Sequence, residues 1–148
     1  MTRDRLLAAL AAVSLLATGP QAAAAASGGA PSRTETFSLR GVSQTLHLYG
    51  APGGRVAIVT SGDGGWVHLG PDVAEFLAGE GYRVVGFDAK AYLSSFTSRS
   101  GPLHVEDVPR DYGALVDYAS QGAPGRPLLV GVSEGAGRVS PVPLAAIR

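Results

Sequence analysis

The sequence predicts an α/β protein in which an antiparallel hairpin precedes a parallel sheet. Polar and apolar residues alternate over 34–39 and 44–49, on either side of a short turn, which is the pattern of an antiparallel hairpin. Three nearly continuous apolar runs follow, as expected for strands buried on both faces. These runs occupy 55–60, 82–87 and 127–132. Helical segments separate them, so the connections are expected to be βαβ crossovers.

The first crossover helix is expected at Pro71–Gly79. Proline suits the first turn of a helix, and Gly79 with Gly81 supplies a stop. The helical spacing places three apolar side chains on the inner face of this helix: Val73, Phe76 and Leu77.

A second helix is expected from about Asp107 to Ser120, with Asp107 as N-cap and Pro109 close behind it. Its inner stripe consists of four residues: Tyr112, Leu115, Val116 and Ala119. The segment before it, 89–102, is expected to be a loop that carries Tyr92 and Phe96.

Composition fits one soluble domain and excludes several classes of function. The 148 residues include 12 basic and 12 acidic side chains, so nothing in the charge favours nucleic acid as a partner. Cysteine is absent, which excludes disulfides and thiolate metal sites. The glycine-rich loop described below lacks the lysine of a phosphate-binding motif. No cofactor and no metal site are therefore expected.

The N-terminus has the layout of a secretory signal peptide. Arg3 and Arg5 precede an apolar run at 6–17, and small residues at 22–26 offer cleavage sites. The run is shorter than the roughly 20 residues that span a bilayer, so no permanent membrane anchor is expected. We therefore expect a signal peptide at 1–26, a flexible leader at 27–33 and a periplasmic or secreted domain at 34–137. An apolar N-terminal helix is the alternative.

A Gly-x-Ser-x-Gly pattern follows the last apolar run, at Gly131–Gly135. This pattern is typical of a nucleophile elbow, a sharp strand-to-helix turn that exposes a serine, here Ser133. A Cβ at Gly131 or Gly135 would collide with the neighbouring strand and helix. The backbone N–H of Glu134 would then be one of two donors to an oxyanion. The alternative is a glycine-rich strand end whose serine has no function.

Two further features are expected at the same edge of the sheet. The glycine-rich loop 61–66 directly follows the first buried strand, and Asp88 ends the second. Ligands of parallel sheets bind beyond the carboxyl ends of the strands. The Asp63 N–H is the second candidate oxyanion donor, although the loop could be an ordinary turn. Asp88 could contact a polar substrate or cap the following segment.

The three segments together resemble the α/β-hydrolase fold and, within it, the VirJ/AcvB group of bacterial virulence-associated proteins. The resemblance rests on Val59–Trp66, Val84–Asp88 and Leu129–Gly137. It implies an exported serine hydrolase acting on small-molecule or lipid esters, with aminoacyl-phospholipids as one candidate. By position, Ser133 would be the nucleophile, Asp63 and Glu134 the amide donors. Asp88 and Trp66 are candidate substrate contacts.

The pattern departs from the family after the serine. Beyond Glu134 there is no Asp, Glu or His, whereas α/β-hydrolases place their acid and histidine downstream. Two prolines, Pro141 and Pro143, disfavour the expected helix. We therefore expect the N-terminal half of an α/β-hydrolase with an aberrant tail at 138–148, which as a fragment is poorly soluble and inactive.

Three upstream histidines are the remaining candidates for a base: His47, His68 and His104. His47 is expected to face solvent from a hairpin strand, and the other two lie in connecting segments. A histidine on the surface or in a loop is the ordinary interpretation of each. The alternative function is a non-catalytic periplasmic binding protein or virulence-associated partner protein.

Overall fold

The computed structural model describes residues 31–97, 102–133 and 135–136. These residues form a five-stranded sheet with helices on both faces. The strands are β1 (Arg33–Leu39), β2 (Val42–Tyr49), β3 (Val56–Thr60), β4 (Arg83–Phe87) and β5 (Leu128–Gly131). The helices are α1 (Leu69–Gly79), α2 (Ala89–Thr97) and α3 (Asp107–Ser120).

The sheet has the order β1-β2-β4-β3-β5. β1 and β2 form an antiparallel hairpin with Arg33 opposite Leu48 and Leu39 opposite Val42. β2 is antiparallel to β4, whereas β3 is parallel to both β4 and β5. The predicted architecture is therefore confirmed, and each strand begins and ends within two residues of its expected limits.

Alternation along the buried strands divides the core between the two faces of the sheet. Ile58 and Val85 face α2 and α3, where the aromatic and aliphatic side chains of those helices pack on them. Ala57 and Val59 face α1 and its residue Ala74. All five residues of β3 are buried, as its continuous apolar run predicts for a strand covered on both faces.

β3 is the strand at which the direction of winding reverses. β4 lies on one side of it and β5 on the other, and the connecting helices lie on opposite faces. The connections leaving β3 and β4 at their carboxyl ends therefore lie on opposite faces of the sheet. Ligands of parallel sheets bind at such a reversal, beyond the carboxyl ends of the strands.

The segment expected to be a loop at 89–102 instead begins with α2. Asp88 accepts a hydrogen bond from the Ala91 N–H at 3.0 Å, which is the bond of an N-cap residue. Tyr92 and Phe96, four residues apart, are both buried on the face of the sheet that contains Ile58 and Val85. The cap and this i, i+4 pair stabilise a helix where the sequence analysis placed a loop.

The inner face of α1 also differs from the expected one. The helix begins at Leu69, two residues before Pro71, and buries Gly70 and Ala74. Phe76, expected to be inside, is 67% exposed. It lies two residues from Ala74, or about 200° around the helix, so the two side chains point to opposite sides. Val73 and Leu77 pack against the core as expected.

The start of α3 needs a smaller correction. Asp107 is the first helical residue and not the N-cap, a position that Glu106 takes. The Asp107 carboxylate instead accepts the backbone N–H of His104 at 3.0 Å. The inner stripe is confirmed, since each of its four expected members is at most 2% exposed: Tyr112, Leu115, Val116 and Ala119.

Several expectations fall on residues outside the described part: the signal peptide, most of the leader, the tail at 138–148, and Glu134. β1 begins at Arg33, the last residue assigned to the leader. No helix among the described residues has the length and apolar character needed to cross a bilayer.

Candidate active site

The chain makes a tight bend immediately after β5. The strand pairing extends one residue beyond Gly131, because the Val132 N–H donates to Thr60 O at 2.9 Å. Ser133 then has φ of +54°, a left-handed conformation that non-glycine residues rarely adopt. Hydrogen bonds from Gly135 N–H to Val132 O and from Ala136 N–H to Ser133 O close the bend. The strained serine is exposed at its apex, as is common for functional residues.

Glycine is sterically required on both sides of Ser133. A Cβ at Gly131 would lie 2.3 Å from the Ala136 backbone, and one at Gly135 would lie 2.5 Å from the carbonyl oxygen of Ser61. Both contacts involve backbone atoms, which cannot rotate away. The expected reason for these glycines is therefore confirmed: they allow β5, the residues after it and the end of β3 to pack together.

The glycine-rich loop 61–66 lies directly against Ser133. A Cβ built on Gly62 would be 3.1 Å from the Cβ of Ser133 and 3.7 Å from its Oγ. The loop is folded back by a hydrogen bond from Gly65 N–H to Gly62 O at 3.2 Å. Among the described residues no oxygen accepts the N–H of Asp63. The adjacent loop therefore carries a backbone donor without an acceptor among the described residues, one residue after Gly62.

Asp88 lies beneath this loop. Its Oδ2 accepts the backbone N–H of Trp66 at 3.2 Å, and its Oδ1 accepts that of Ala91 at 3.0 Å. The base of the loop is held by Ser61, which is 1% exposed. The Ser61 N–H donates to Phe87 O at 3.0 Å, and its Oγ accepts the Ala89 N–H at 3.0 Å. The ends of β3 and β4 are thus joined by backbone and side-chain bonds.

Trp66 lies flat on the sheet. A Cβ at Gly86 would come within 2.2 Å of its ring, so the missing side chain on β4 provides the space that the indole fills. The ring stacks on His47 with centroids 5.0 Å apart and planes 8° apart. Its Nε1–H donates to the Tyr49 hydroxyl at 3.2 Å. Burial raises the pKa of Tyr49, an effect that this hydrogen bond opposes.

The family model described as bacterial virulence protein (VirJ) matches residues 54–145. The chain belongs to the VirJ family. That match includes the loop 61–66, Asp88 and Ser133. No curated protein matches the chain.

Solved structures that resemble this VirJ-family chain include a thioesterase domain from the curacin biosynthetic pathway. The two are 28% identical, with a TM-score of 0.47. The match covers 72% of this chain and 38% of the thioesterase chain, so the VirJ-family chain spans well under half the length of that relative.

The three histidines take different places in this VirJ-family chain. His47, expected to face solvent, is half-buried under Trp66. Burial lowers its pKa, although the negative charge of Asp88 acts in the opposite direction. His68 is exposed just before α1 with φ of +53°, and His104 is exposed before α3. Within the described part, none of them forms a hydrogen bond with the Ser133 hydroxyl.

The structure therefore brings some of the predicted site residues together. Ser133 adjoins the loop that carries Asp63 and Trp66, and Asp88 accepts the backbone N–H of Trp66 in that loop. Glu134 lies outside the described residues. Gly62, which the sequence analysis did not single out, is the loop residue in contact with Ser133. No group of histidine, aspartate or glutamate side chains suited to a metal ion occurs in the described ranges.

Proposed function

We propose that this chain carries the nucleophile and the oxyanion-binding loop of a serine ester hydrolase. The observation that carries the proposal is Ser133, held at φ of +54° with its side chain against Gly62. A strained, exposed serine beside an oxyanion loop is the arrangement with which α/β-hydrolases carry out acyl transfer. Membership of the VirJ family, whose resemblance to α/β-hydrolases the sequence analysis describes, supports the same reaction class.

In this reaction Ser133 Oγ attacks the carbonyl carbon of the ester. The Oγ–C bond forms, the carbonyl π pair moves onto oxygen, and the serine proton passes to a base. The Asp63 N–H would donate to the resulting oxyanion, and we propose the Glu134 N–H as the second donor. The tetrahedral intermediate then expels the alcohol, which takes up a proton. Water hydrolyses the acyl-serine in the same way and frees the acid.

The base is the component that the described residues do not bring to Ser133. A serine without its base loses most of its activation, although oxyanion contacts leave weak residual catalysis. We therefore propose that the 148-residue chain by itself reacts slowly at Ser133 and turns over esters negligibly. Imidazole supplied in solution could take the proton instead, because its pKa lies near neutral pH.

We propose aminoacyl esters, including aminoacyl-phospholipids, as the substrate class. The family resemblance supports this class, and the exposed carboxylate of Asp63 lies on the loop beside Ser133, where it could meet a cationic aminoacyl group. Both oxygens of Asp88 already accept backbone N–H groups. Recognition of a cation is therefore better assigned to Asp63 than to Asp88. Substrate contacts by Asp88 and Trp66 stay predictions.

Site-directed labelling tests the proposed function. The 148-residue chain is treated with a fluorophosphonate probe, with and without imidazole, and the modified residue is identified by peptide mass spectrometry. We expect slow labelling at Ser133, accelerated by imidazole and lost in Ser133→Ala. Ser43→Ala, which removes an exposed serine on β2, is the matched control and should label normally. Labelling that is absent or falls elsewhere would refute the nucleophile and favour a binding protein.

We also propose export to the periplasm, on the strength of the charge and hydropathy pattern of residues 1–26. The chain is expressed in a Gram-negative host, and the N-terminus of the periplasmic fraction is sequenced. Cleavage close to Ala26 is expected. A chain that stays in the cytoplasm with its leader intact would contradict export.

A further inference from the structure

We propose that Asp88 is a positioning residue that fixes the loop 61–66 against Ser133, an inference that rests on the proposed function of that loop as the oxyanion site. It assigns to Asp88 a role different from substrate contact. The carboxylate contacts the loop at Gly65 and Trp66, whereas Ser133 adjoins it at Gly62, so the two residues contact different ends of the same loop.

The carboxylate of Asp88 has one local contact and two distant ones, the longer of which is the Ser61 hydroxyl donating to Oδ1 at 3.4 Å. Capping of α2 requires only the bond from Ala91 N–H to Oδ1. The second oxygen is used 22 residues back in the chain, by the backbone N–H of Trp66 at 3.2 Å. Gly65 lies directly above the carboxylate, since a Cβ there would be 3.4 Å from Oδ2. An N-cap alone does not account for this second contact.

The far end of the same loop touches Ser133. Gly62 adjoins the serine so closely that a Cβ built on it would lie 3.1 Å from Ser133 Cβ, and the bond from Gly65 N–H to Gly62 O joins the two ends of the loop into one turn. Gly65 has φ of +89°, and glycine adopts positive and negative φ about equally. The conformation of the turn therefore depends on the hydrogen bonds that hold it. Holding the Trp66 N–H in place therefore limits how far the turn that carries Asp63 can move.

The need for two acceptors explains why the residue is an aspartate. Asp, Asn and Ser are nearly equal as N-caps. An asparagine at 88 keeps one acceptor oxygen and replaces the other with a donor, which would face the N–H of Trp66 or of Ala91. A serine keeps the cap and loses the second oxygen. Both substitutions can therefore preserve α2 while releasing the loop.

Trp66 is the single tryptophan of the chain, so its fluorescence reports on this loop alone. In Asp88→Asn and Asp88→Ser we expect Trp66 to become more accessible to acrylamide, with unchanged helical ellipticity. The imidazole-assisted rate of fluorophosphonate labelling at Ser133 should fall by about 10- to 100-fold, the scale for a displaced oxyanion donor. Asp117→Asn, at an exposed position on α3, should change neither quantity.

The two readouts separate the failure of this inference from the failure of the proposed function. A wild-type chain that is not labelled at Ser133 would refute the proposed function. Unchanged Trp66 quenching in both Asp88 variants would overturn the positioning role, even where Ser133 is labelled. Increased quenching with an unchanged labelling rate would overturn it as well, because the loop would then move without consequence for the serine.

Discussion

Gly135 offers a demanding test of how the serine bend is packed. In Gly135→Ala the new methyl group would lie 2.5 Å from Ser61 O and 2.7 Å from Thr60 O. To bring this methyl group to an ordinary distance of about 3.4 Å from Ser61 O, the bend and the end of β3 must move apart by about 0.9 Å. Overpacking of this kind costs about 1–3 kcal/mol. A misplacement near 1 Å can reduce a reaction rate about 100-fold.

Gly113→Ala is the matched control. Gly113 lies within α3, and nothing comes within 4 Å of the position of its missing Cβ. Alanine there should stabilise the chain by about 0.5–1 kcal/mol, because glycine loses more conformational freedom in a helix. Urea denaturation measures both free energies of unfolding, and fluorophosphonate labelling measures the reaction at Ser133. Equal stability and equal labelling of the two variants would refute the packing argument.

Two further predictions concern buried polar groups. Burial lowers the pKa of His47, so the folded state binds fewer protons than the unfolded state. The free energy of unfolding should therefore fall as the pH drops below about 6.5. Urea denaturation at a series of pH values measures this dependence, which should be weaker in His47→Gln. An equal pH dependence in the wild-type chain and the variant would contradict the prediction. Asp111 is 3% exposed, accepts the Tyr92 hydroxyl at 2.6 Å and pairs with Arg40 at 2.9 Å. Asp111→Ala should lower the free energy of unfolding by about 3 kcal/mol, near the lower end for a broken buried pair, because Arg40 remains 29% exposed and can rehydrate. A loss smaller than about 0.5 kcal/mol, as at an ordinary surface position, would be inconsistent with the pair.

The sheet and the bend at Ser133 could be predicted because their signals are local. A strand buried on both faces needs a continuous apolar run, and β3 has one. The bend needs glycine at 131 and 135, where backbone atoms leave no room for a Cβ. The apolar run of β3 and the contact of Gly131 with Ala136 act within a few residues. The contact of Gly135 with Ser61 and Thr60 is distant, but the Gly-x-Ser-x-Gly pattern signals it in the sequence.

The features that were missed depend on contacts between distant segments. His47 alternates with apolar neighbours as a solvent-facing residue would, but Trp66 arrives from the loop after β3 and covers it. The sequence does not predict α2, because Tyr92 and Phe96 are the only large side chains that this helix fully buries. The second hydrogen bond of Asp88 joins positions 22 residues apart. None of these contacts has a signal in its own stretch of sequence.

Phe76 shows the limit of helical spacing as evidence. An apolar residue at a helical interval suggests an inner face, but α1 packs through its smallest residues. Gly70 and Ala74 are buried, which leaves Phe76 exposed on the other side. Periodicity located the helix and did not fix its rotation.

The measurement that tests the central claim most directly is a crystal structure of the chain phosphonylated at Ser133. The phosphoryl oxygen stands in for the oxyanion of the reaction. The account predicts that this oxygen lies 2.7–3.1 Å from the Asp63 backbone nitrogen, the distance of an oxyanion donor, with Asp88 still bonded to Trp66. A phosphoryl oxygen directed into solvent, with the loop 61–66 turned away from it, would contradict the account.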